Sequence, residues 1–351
     1  MKSTSISASL FSIVLGLSGL GQSWRVAARM WHVSAAVGEG ILLLATSVWC
    51  CLLITYVLHA LRNPAEVVDE FKHPVAGGTA ALLGVSTLLI VQAVFPYSRG
   101  LAAALAVAGL AWHLSFALWH TGMLWQGGRD MLDTAPTLYL PTVAGNFTGA
   151  AALATMGRPE WGWLLFGAGI FSWLAIEPLI IYRLWHGATL PPEQRPLLGI
   201  QFAPPVVGAA AALVLQPGSV DHWIVMLLGY GLFQMLIGLR LGGWLTKHPF
   251  APSWWAYTFG VASATLACMK LAQAGVPPAQ TLSVPVFVGA NLFIGYLSVR
   301  TLAHLFDPSE TQCGHRGSIE RDRTALRPRA SSVQPQAKRT QPVYIGRCLP
   351  T

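Results

Sequence analysis

His113 and His120 stand seven residues apart, two turns along one helix face, a spacing that could present two imidazoles to a metal ion or a haem. A haem held between helices needs histidines from two helices facing one plane. Both of these belong to one apolar segment, so hydrogen bonding to a neighbouring helix is their expected role. The five cysteines show no zinc or haem-attachment spacing: Cys50 and Cys51 are adjacent in an apolar run, Cys268 lies in another, and Cys313 and Cys348 fall in a polar C-terminal stretch. Glu177 is an acid inside an apolar run, which is costly in lipid unless paired, and Arg183 or Arg240 is the expected partner in a buried ion pair. No GxxxxGK[ST] pattern is present, so ATP-driven transport by this chain alone is unsupported. The sequence points to no catalytic residues, no metal and no cofactor; the chain reads as something other than an enzyme.

The elements that must hold these side chains follow from composition. Of 351 residues, 54% are hydrophobic and only 10% charged, against about 25% charged in soluble domains. Fourteen tryptophans and 35 glycines fit interfacial anchoring and close helix approach in a bilayer. The chain therefore reads as an all-α integral membrane protein, and no basic patch suggests nucleic acid.

A bilayer-crossing helix needs roughly 20 mostly apolar residues. Such runs number about ten: Ile6 to Gly21, Val37 to Leu61, His73 to Phe95, Leu101 to Trp125, Leu138 to Met156, Trp161 to Trp185, Gly199 to Leu215, Trp223 to Trp244, Trp254 to Ala274 and Leu282 to Leu305. Lys2, Arg62, Lys72, Arg129, Arg183, Arg195, Arg240 and Lys247 collect on one side of this topology. Arg25, Arg29, Arg99 and Arg158 fall on the other, with Lys270 near a helix end. The positive-inside bias, decided mainly by the basic tail, predicts both termini in the cytoplasm of an inner-membrane protein. Two regions are expected: residues 1–305 as the transmembrane domain and 306–351 as a basic, disordered cytoplasmic tail. The tail carries eight Lys/Arg against four Asp/Glu and few large apolar residues.

Odd-numbered runs repeat one pattern, an aromatic, Pro or Gly followed by small residues. His73-Pro74-Val75-Ala76-Gly77-Gly78, Leu140-Pro141-Thr142-Val143-Ala144-Gly145 and Ala203-Pro204-Pro205-Val206-Val207-Gly208 show it, as do Phe259-Gly260-Val261-Ala262-Ser263 and Phe11-Ser12-Ile13-Val14-Leu15-Gly16. Even-numbered runs are bulkier. The repeat predicts five helical hairpins in a quasi-fivefold arrangement, small-residue helices inside and Leu- and Trp-rich helices toward lipid. Pro74, Pro141, Pro204 and Gly260 then serve as kinks that bring backbone to a central pore, or the prolines simply occupy first turns, where Pro costs little. Phe11, Gly16, Val75, Thr142, Asn146 and Val206 are the candidate lining residues, Asn146 equally a bond to a neighbouring helix. Five parallel inner helices would point their positive ends at one mouth, and the inner runs hold no acid, a combination that favours anions.

At Pro252-Ser253-Trp254-Trp255-Ala256-Tyr257-Thr258-Phe259 the sequence resembles the TehA family of tellurite-resistance/dicarboxylate transporters, which also includes the slow-type anion channel of plant guard cells. Further matches are Ile13-Val14-Leu15-Gly16, the run from Leu138 through Leu140-Pro141-Thr142 to Asn146-Phe147, and Gly167-Ala168-Gly169-Ile170-Phe171-Ser172-Trp173-Leu174 followed by Glu177-Pro178. Leu198-Gly199-Ile200-Gln201, Ala203-Pro204 and Gly229-Tyr230-Gly231-Leu232 complete a set covering most of residues 8–305 in order. The resemblance implies a homotrimer with one pore per subunit, conducting small anions such as chloride and nitrate. The family's pore-plugging phenylalanine maps onto Phe259, an aromatic ring that would exclude water from a narrow apolar lumen. The plant channel has Pro where Gly260 stands, which implies a more flexible kink here. The resemblance also leaves open a proton-coupled carrier or efflux protein for C4-dicarboxylates, sulfite or tellurite.

Overall fold

The computed structural model of the chain describes residues 7–218, 220–247 and 250–306. Thirteen α-helices follow one another: α1 (Ser12–Trp31), α2 (Ala35–Arg62), α3 (Pro64–Lys72), α4 (Leu82–Val94), α5 (Arg99–Trp125), α6 (Gly145–Thr155), α7 (Pro159–His186), α8 (Leu198–Gln201), α9 (Ala203–Leu215), α10 (His222–Arg240), α11 (Gly242–Leu245), α12 (Ala256–Gln273) and α13 (Pro277–Phe306). The chain divides into two units, residues 1–301 and 302–351. Of the second, the structure describes residues 302–306, the end of α13; the expected basic tail from residue 307 onward lies outside the described residues.

Among the described residues, seven helical stretches are long and apolar enough to cross a membrane: α2, residues 77–94 ending in α4, α5, α7, residues 192–215 ending in α9, α10, and α13 as far as Leu305. Three of the ten runs expected from hydropathy, those holding α1, α6 and α12, fall outside this set. Their composition explains it. α1 carries Ser12, Ser18, Gln22, Ser23, Arg25 and Arg29, α12 carries Thr258, Ser263, Thr265, Lys270 and Gln273, and α6 has only 11 residues.

Burial sorts the helices into two kinds. In α2, α5, α7, α10 and α13 only 22–33% of the apolar window is buried, against 89% in residues 77–94 and 192–215. Among the described residues, every exposed large hydrophobic side chain lies on one of those five helices or in the segments flanking them, for example Leu43, Leu118, Phe171, Leu239 and Leu292. An apolar belt of that extent belongs against lipid. The outer helices begin at strong N-terminal signals: Pro159 and Pro277 at first turns, and Ser34 and Ser98 accepting from the backbone N–H groups of Ala36 and Leu101.

The remaining long helices form a closed circuit. α1 packs on α4, α4 on α6, α6 on α9, α9 on α12, and α12 returns to α1. Each takes an outer partner next in sequence: α2 lies on α1, α5 on α4, α7 on α6 and α10 on α9. α13 reaches α1 through Trp24, whose Nε1 donates to Asn291 Oδ1 at 2.8 Å and whose ring meets Phe287 edge-on. It reaches the α12 segment through Cys268 to the Ala279 carbonyl and Trp255 Nε1 to Thr301 Oγ1.

Every inner helix opens on a turn of a different pitch. Ala8–Phe11, Gly77–Ala81 and Pro252–Trp255 are 3-10 turns, Leu140–Ala144 is a π-helical turn, and the 3-10 stretch Pro192–Leu197 with α8 leads into α9. The sequence repeat of Pro, Gly or aromatic before small residues is thus a repeat of irregular helix starts.

Small residues permit the close seams. A Cβ on Gly16 would lie 2.3 Å from Thr258 Oγ1, and one on Gly19 would lie 2.6 Å from the Ala262 Cβ. Gly16→Val is therefore expected to cost about 1–3 kcal/mol by overpacking the α1–α12 seam. Thermal unfolding of the purified protein in detergent checks it, with Gly40→Val, which faces open space, as the matched control; equal melting temperatures for the two variants would contradict the seam.

Candidate translocation path

Inside the circuit of inner helices are two adjoining cavities. The first, about 60 Å³, sits at the irregular helix starts and is lined by Ser9, Ser12 and Leu15, Thr79 and Leu82, Leu140, Val143 and Ala144, Ala203 and Pro204, and Ala256, among others. The second, about 40 Å³, lies further along the same helices and is lined by Ser18 and Gln22 of α1, Leu89 and Gln92 of α4, Thr148 and Ala151 of α6, Ala210 and Val214 of α9, and Ser263 and Leu266 of α12. Phe147, Val207 and Phe259 line both. All five inner helices contribute to each cavity. Among the described residues no Asp, Glu, Lys, Arg or His lines either one. Apolar walls carry a few hydroxyl and amide groups, and Ser18 Oγ and Gln22 Nε2, one turn apart on α1, are buried without a hydrogen-bond partner.

Of the two rings at the junction, Phe147 is fixed sideways. Its ring packs 5.3 Å from Phe166, and a Cβ on Gly169 or Gly208 would strike it. Phe259, 7% exposed, pairs with no other aromatic ring among the described residues and stands in the first turn of α12. Gly260 beside it lets α12 approach α9, where a Cβ would meet the Ala203 Cα at 3.4 Å.

The other expected site residues divide. Pro204 lines the first cavity from the first turn of α9, and Pro141 opens the π-helical turn whose Leu140, Val143 and Ala144 line it too. Pro74 is exposed in the turn before Gly77–Ala81, where its carbonyl accepts from Arg129 at 2.6 Å, so it kinks no inner helix. Phe11 faces away from both cavities, edge-on to Tyr56 of α2 at 6.1 Å. Gly16 packs on Thr258, Val206 packs on Gly231 of α10, and the Val75 carbonyl accepts from Thr137. None of these is among the residues lining the two cavities; Gly16 and Val206 lie in helix–helix seams. The Thr142 carbonyl accepts from Asn146 Nδ2 at 2.6 Å, and Asn146 Oδ1 accepts from His113 Nε2 at 3.0 Å. Asn146 therefore ties the π-helical turn to the outer helix α5 in place of lining the path. His113 is engaged there and His120 stacks on Phe116 in the same helix; no cluster of metal-ligating side chains occurs among the described residues.

Glu177 has different partners from those its sequence neighbours suggest. Its Oε2 accepts from the Tyr139 hydroxyl, Trp173 Nε1 (2.8 Å) and Gln201 Nε2 (3.0 Å), and its Oε1 from the Tyr230 hydroxyl (3.0 Å) and Gln234 Nε2 (3.0 Å). Five neutral donors replace the expected ion pair. Arg183 instead donates to the Ala188 carbonyl, and Arg240 is exposed at the end of α10. Among the described residues the ion pairs are Arg25–Glu39 and His59–Glu66. The first braces the far end of the path: Arg25 bonds both carboxylate oxygens of Glu39 and the Gln92 and Ala93 carbonyls at the end of α4. Tyr97, in the loop that follows, donates to Glu39 Oε2 at 2.7 Å, and that bond raises its hydroxyl pKa above the usual value.

Outer helices that present apolar side chains on every exposed turn, around inner helices that enclose neutral cavities, define a multi-pass helical membrane protein. The comparisons with known proteins make this specific. Residues 5–302 match the family model described as SLAC1, voltage-dependent anion channel, and the chain belongs to that family. It is 32% identical over 296 residues, 84% of this chain and 89% of the relative, to the tellurite resistance protein TehA homolog of Haemophilus influenzae. It is 25% identical over 309 residues to the guard cell S-type anion channel SLAC1 of Arabidopsis thaliana and 25% over 320 residues to the S-type anion channel SLAH3 of the same plant. The matches span 55% and 48% of those two plant proteins, about half of their length.

Proposed function

We propose that the protein is a passive anion channel, in which ten helices arranged as five quasi-fivefold hairpins surround one pore per subunit and Phe259 is the gate. The observation that carries this reading is the position of Phe259 between two apolar cavities to which all five small-residue helices contribute. An aromatic ring in an apolar constriction of that size excludes water and with it any hydrated ion. Kinship with anion channels supports anions as the permeant species, chloride and nitrate being the small ones expected. Assembly as a homotrimer, residence in the inner membrane and cytoplasmic termini belong to the same reading; the described structure is a single chain.

A proton-coupled carrier of C4-dicarboxylates, sulfite or tellurite needs a titratable group in the path. Among the described residues the cavity linings supply no carboxylate, amine, guanidinium or imidazole; the one tyrosine there, Tyr139, has its hydroxyl bonded to Glu177, which sits behind it with all its bonds directed to protein. The test is reconstitution into planar bilayers under opposed chloride, nitrate and malate gradients. A channel gives currents that reverse near the anion equilibrium potential at every pH; accumulation of malate driven by a proton gradient, without such currents, would replace the channel with the carrier.

A further inference from the structure

Past the second cavity, at the C-terminal ends of the inner helices, lies a third cavity of about 300 Å³. It is lined by Arg29 of α1, Leu213 of α9, Pro217 and Gly218 in the turn that follows, and Lys270, Gln273 and Ala274 at the end of α12. Two cations face this space and none of its lining residues is acidic. Arg25, one turn earlier on α1, shows how a cation here is ordinarily satisfied, with a carboxylate on two of its nitrogens. Among the described residues, Arg29, which is exposed, makes no hydrogen bond or ion pair, and Lys270 Nζ reaches only the Leu213 carbonyl, at 3.4 Å. That carbonyl bond is what a lysine at a helix C-terminus does anyway. It accounts for neither Arg29 nor the open space between the two charges.

The register connects this cavity to the path. On α12, Phe259, Ser263, Leu266 and Lys270 follow one another at steps of four, three and four residues, a single face. On α1, Ser18, Gln22 and Arg29 share a face in the same way. The faces that line the second cavity end in the two cations. We propose that the third cavity binds a small free anion, held by the Lys270 ammonium, the Arg29 guanidinium and the Gln273 side-chain amide, where the path opens at the C-terminal end of the inner helices. Like charges confined together repel; an anion between them converts that repulsion into two charge-assisted hydrogen bonds. The role as the mouth of a path rests on the channel reading, but binding itself does not.

Chloride-35 NMR of the full-length protein in detergent reads the binding directly, through the exchange broadening of the chloride line. Lys270→Met is expected to weaken chloride binding about tenfold and Arg29→Gln about threefold, while Lys270→Arg keeps it. Arg29 is exposed, so its variant keeps the test alive should Lys270→Met not fold. Broadening that is the same in wild type, Lys270→Met and Arg29→Gln overturns the site. Lys270-dependent broadening that micromolar phosphatidylglycerol abolishes also overturns it, by assigning the pocket to a lipid phosphate. In the Phe259→Ala background, Lys270→Met is expected to raise the half-saturating chloride concentration about tenfold from the side of this cavity alone; an equal effect from both sides removes the mouth assignment. Should broadening depend on Lys270 while neither wild type nor Phe259→Ala passes current, the anion site stands and the channel reading falls.

Discussion

Phe259→Ala is expected to raise anion current at least about tenfold, equivalent to about 1.4 kcal/mol off the barrier to permeation. The ring lines both cavities, of about 60 and 40 Å³, each roomy enough for a partly dehydrated ion or a water. Shortening the side chain to a methyl group merges them, and the backbone on either side, Thr258 on Gly16 and Gly260 on Ala203, stays as it was. The other ring at the junction supplies the control. Phe147 is wedged against Phe166, Gly169 and Gly208, so Phe147→Ala opens a void in the α6–α7 seam and is expected to lower stability with far less gain in current. A graded series sharpens the test: Phe259→Leu should fall between alanine and wild type, and Phe259→Trp should stay closed. Wild-type current from Phe259→Ala, at normal levels of folded protein in the membrane, would remove Phe259 as the gate.

Much of this architecture can be read from the chain. The division into bulky lipid-facing helices and small-residue inner ones follows from composition, because a helix packed on all sides by protein needs little apolar bulk and a helix against lipid needs much. The same physics keeps the inner helices α1 and α12, legible as apolar runs, out of the set apolar enough to cross lipid by themselves, since their Ser, Thr, Gln and Lys residues are compatible with burial in protein. The lining is where the reading slips, at four positions by a single residue in one direction or the other. Phe11, Gly16, Thr142 and Val206 were, with Val75 and Asn146, the expected lining positions, and among the residues that line the first cavity are the neighbours of the first four, Ser12, Leu15, Val143 and Val207. One residue along an α-helix is a turn of about 100°, enough to move a side chain from the path into a seam. On α12 the phase was set by Phe259, and steps of four and three residues reach Ser263 and Leu266; the other inner helices carry no comparable anchor. For Asn146 and Pro74 the residue type left two readings open, since a polar amide and a proline are each as useful in holding an irregular turn as in facing a pore, and Asn146 makes the bond to a neighbouring helix that was one of them. The partners of Glu177 were illegible because they come from three further segments: Tyr139, Gln201, and Tyr230 with Gln234 on α10, lie 24 to 57 residues away. Arg183, six residues on, is rotated about 120° to the other side of α7.

That cage supports the second large effect. Glu177→Leu is expected to destabilise the protein by several kcal/mol, because it strands the buried donors of Tyr139, Trp173, Gln201 and Gln234 together, at about 1–3 kcal/mol each before relaxation. Total stabilities of about 5–15 kcal/mol leave little margin for such a loss. Glu177→Gln is the sharper probe. It keeps the shape but sets an NH2 group among five donors, so that Gln201 or Gln234 must turn its amide over to receive it and the remaining donors share one neutral acceptor oxygen. Gln201 and Gln234 already hold their side-chain oxygens buried and without a partner in order to aim nitrogen at the carboxylate, which shows how strongly one acceptor fixes both amides. The melting temperature of Glu177→Gln in detergent is expected to fall well below wild type, whereas Arg240→Gln, at an exposed position, should stay within about 0.5 kcal/mol. An ion-pair anchor would reverse the second result, and a wild-type melting temperature for Glu177→Gln would dissolve the cage. The consequence reaches the path as well, since Tyr139 leads into the π-helical turn at Leu140 and Gln201 into α9 at Ala203, both of which line the first cavity. In the Phe259→Ala background, then, Glu177→Gln protein that survives folding should also show altered unitary current. A purely peripheral stabiliser would change the amount of channel and leave its conductance alone.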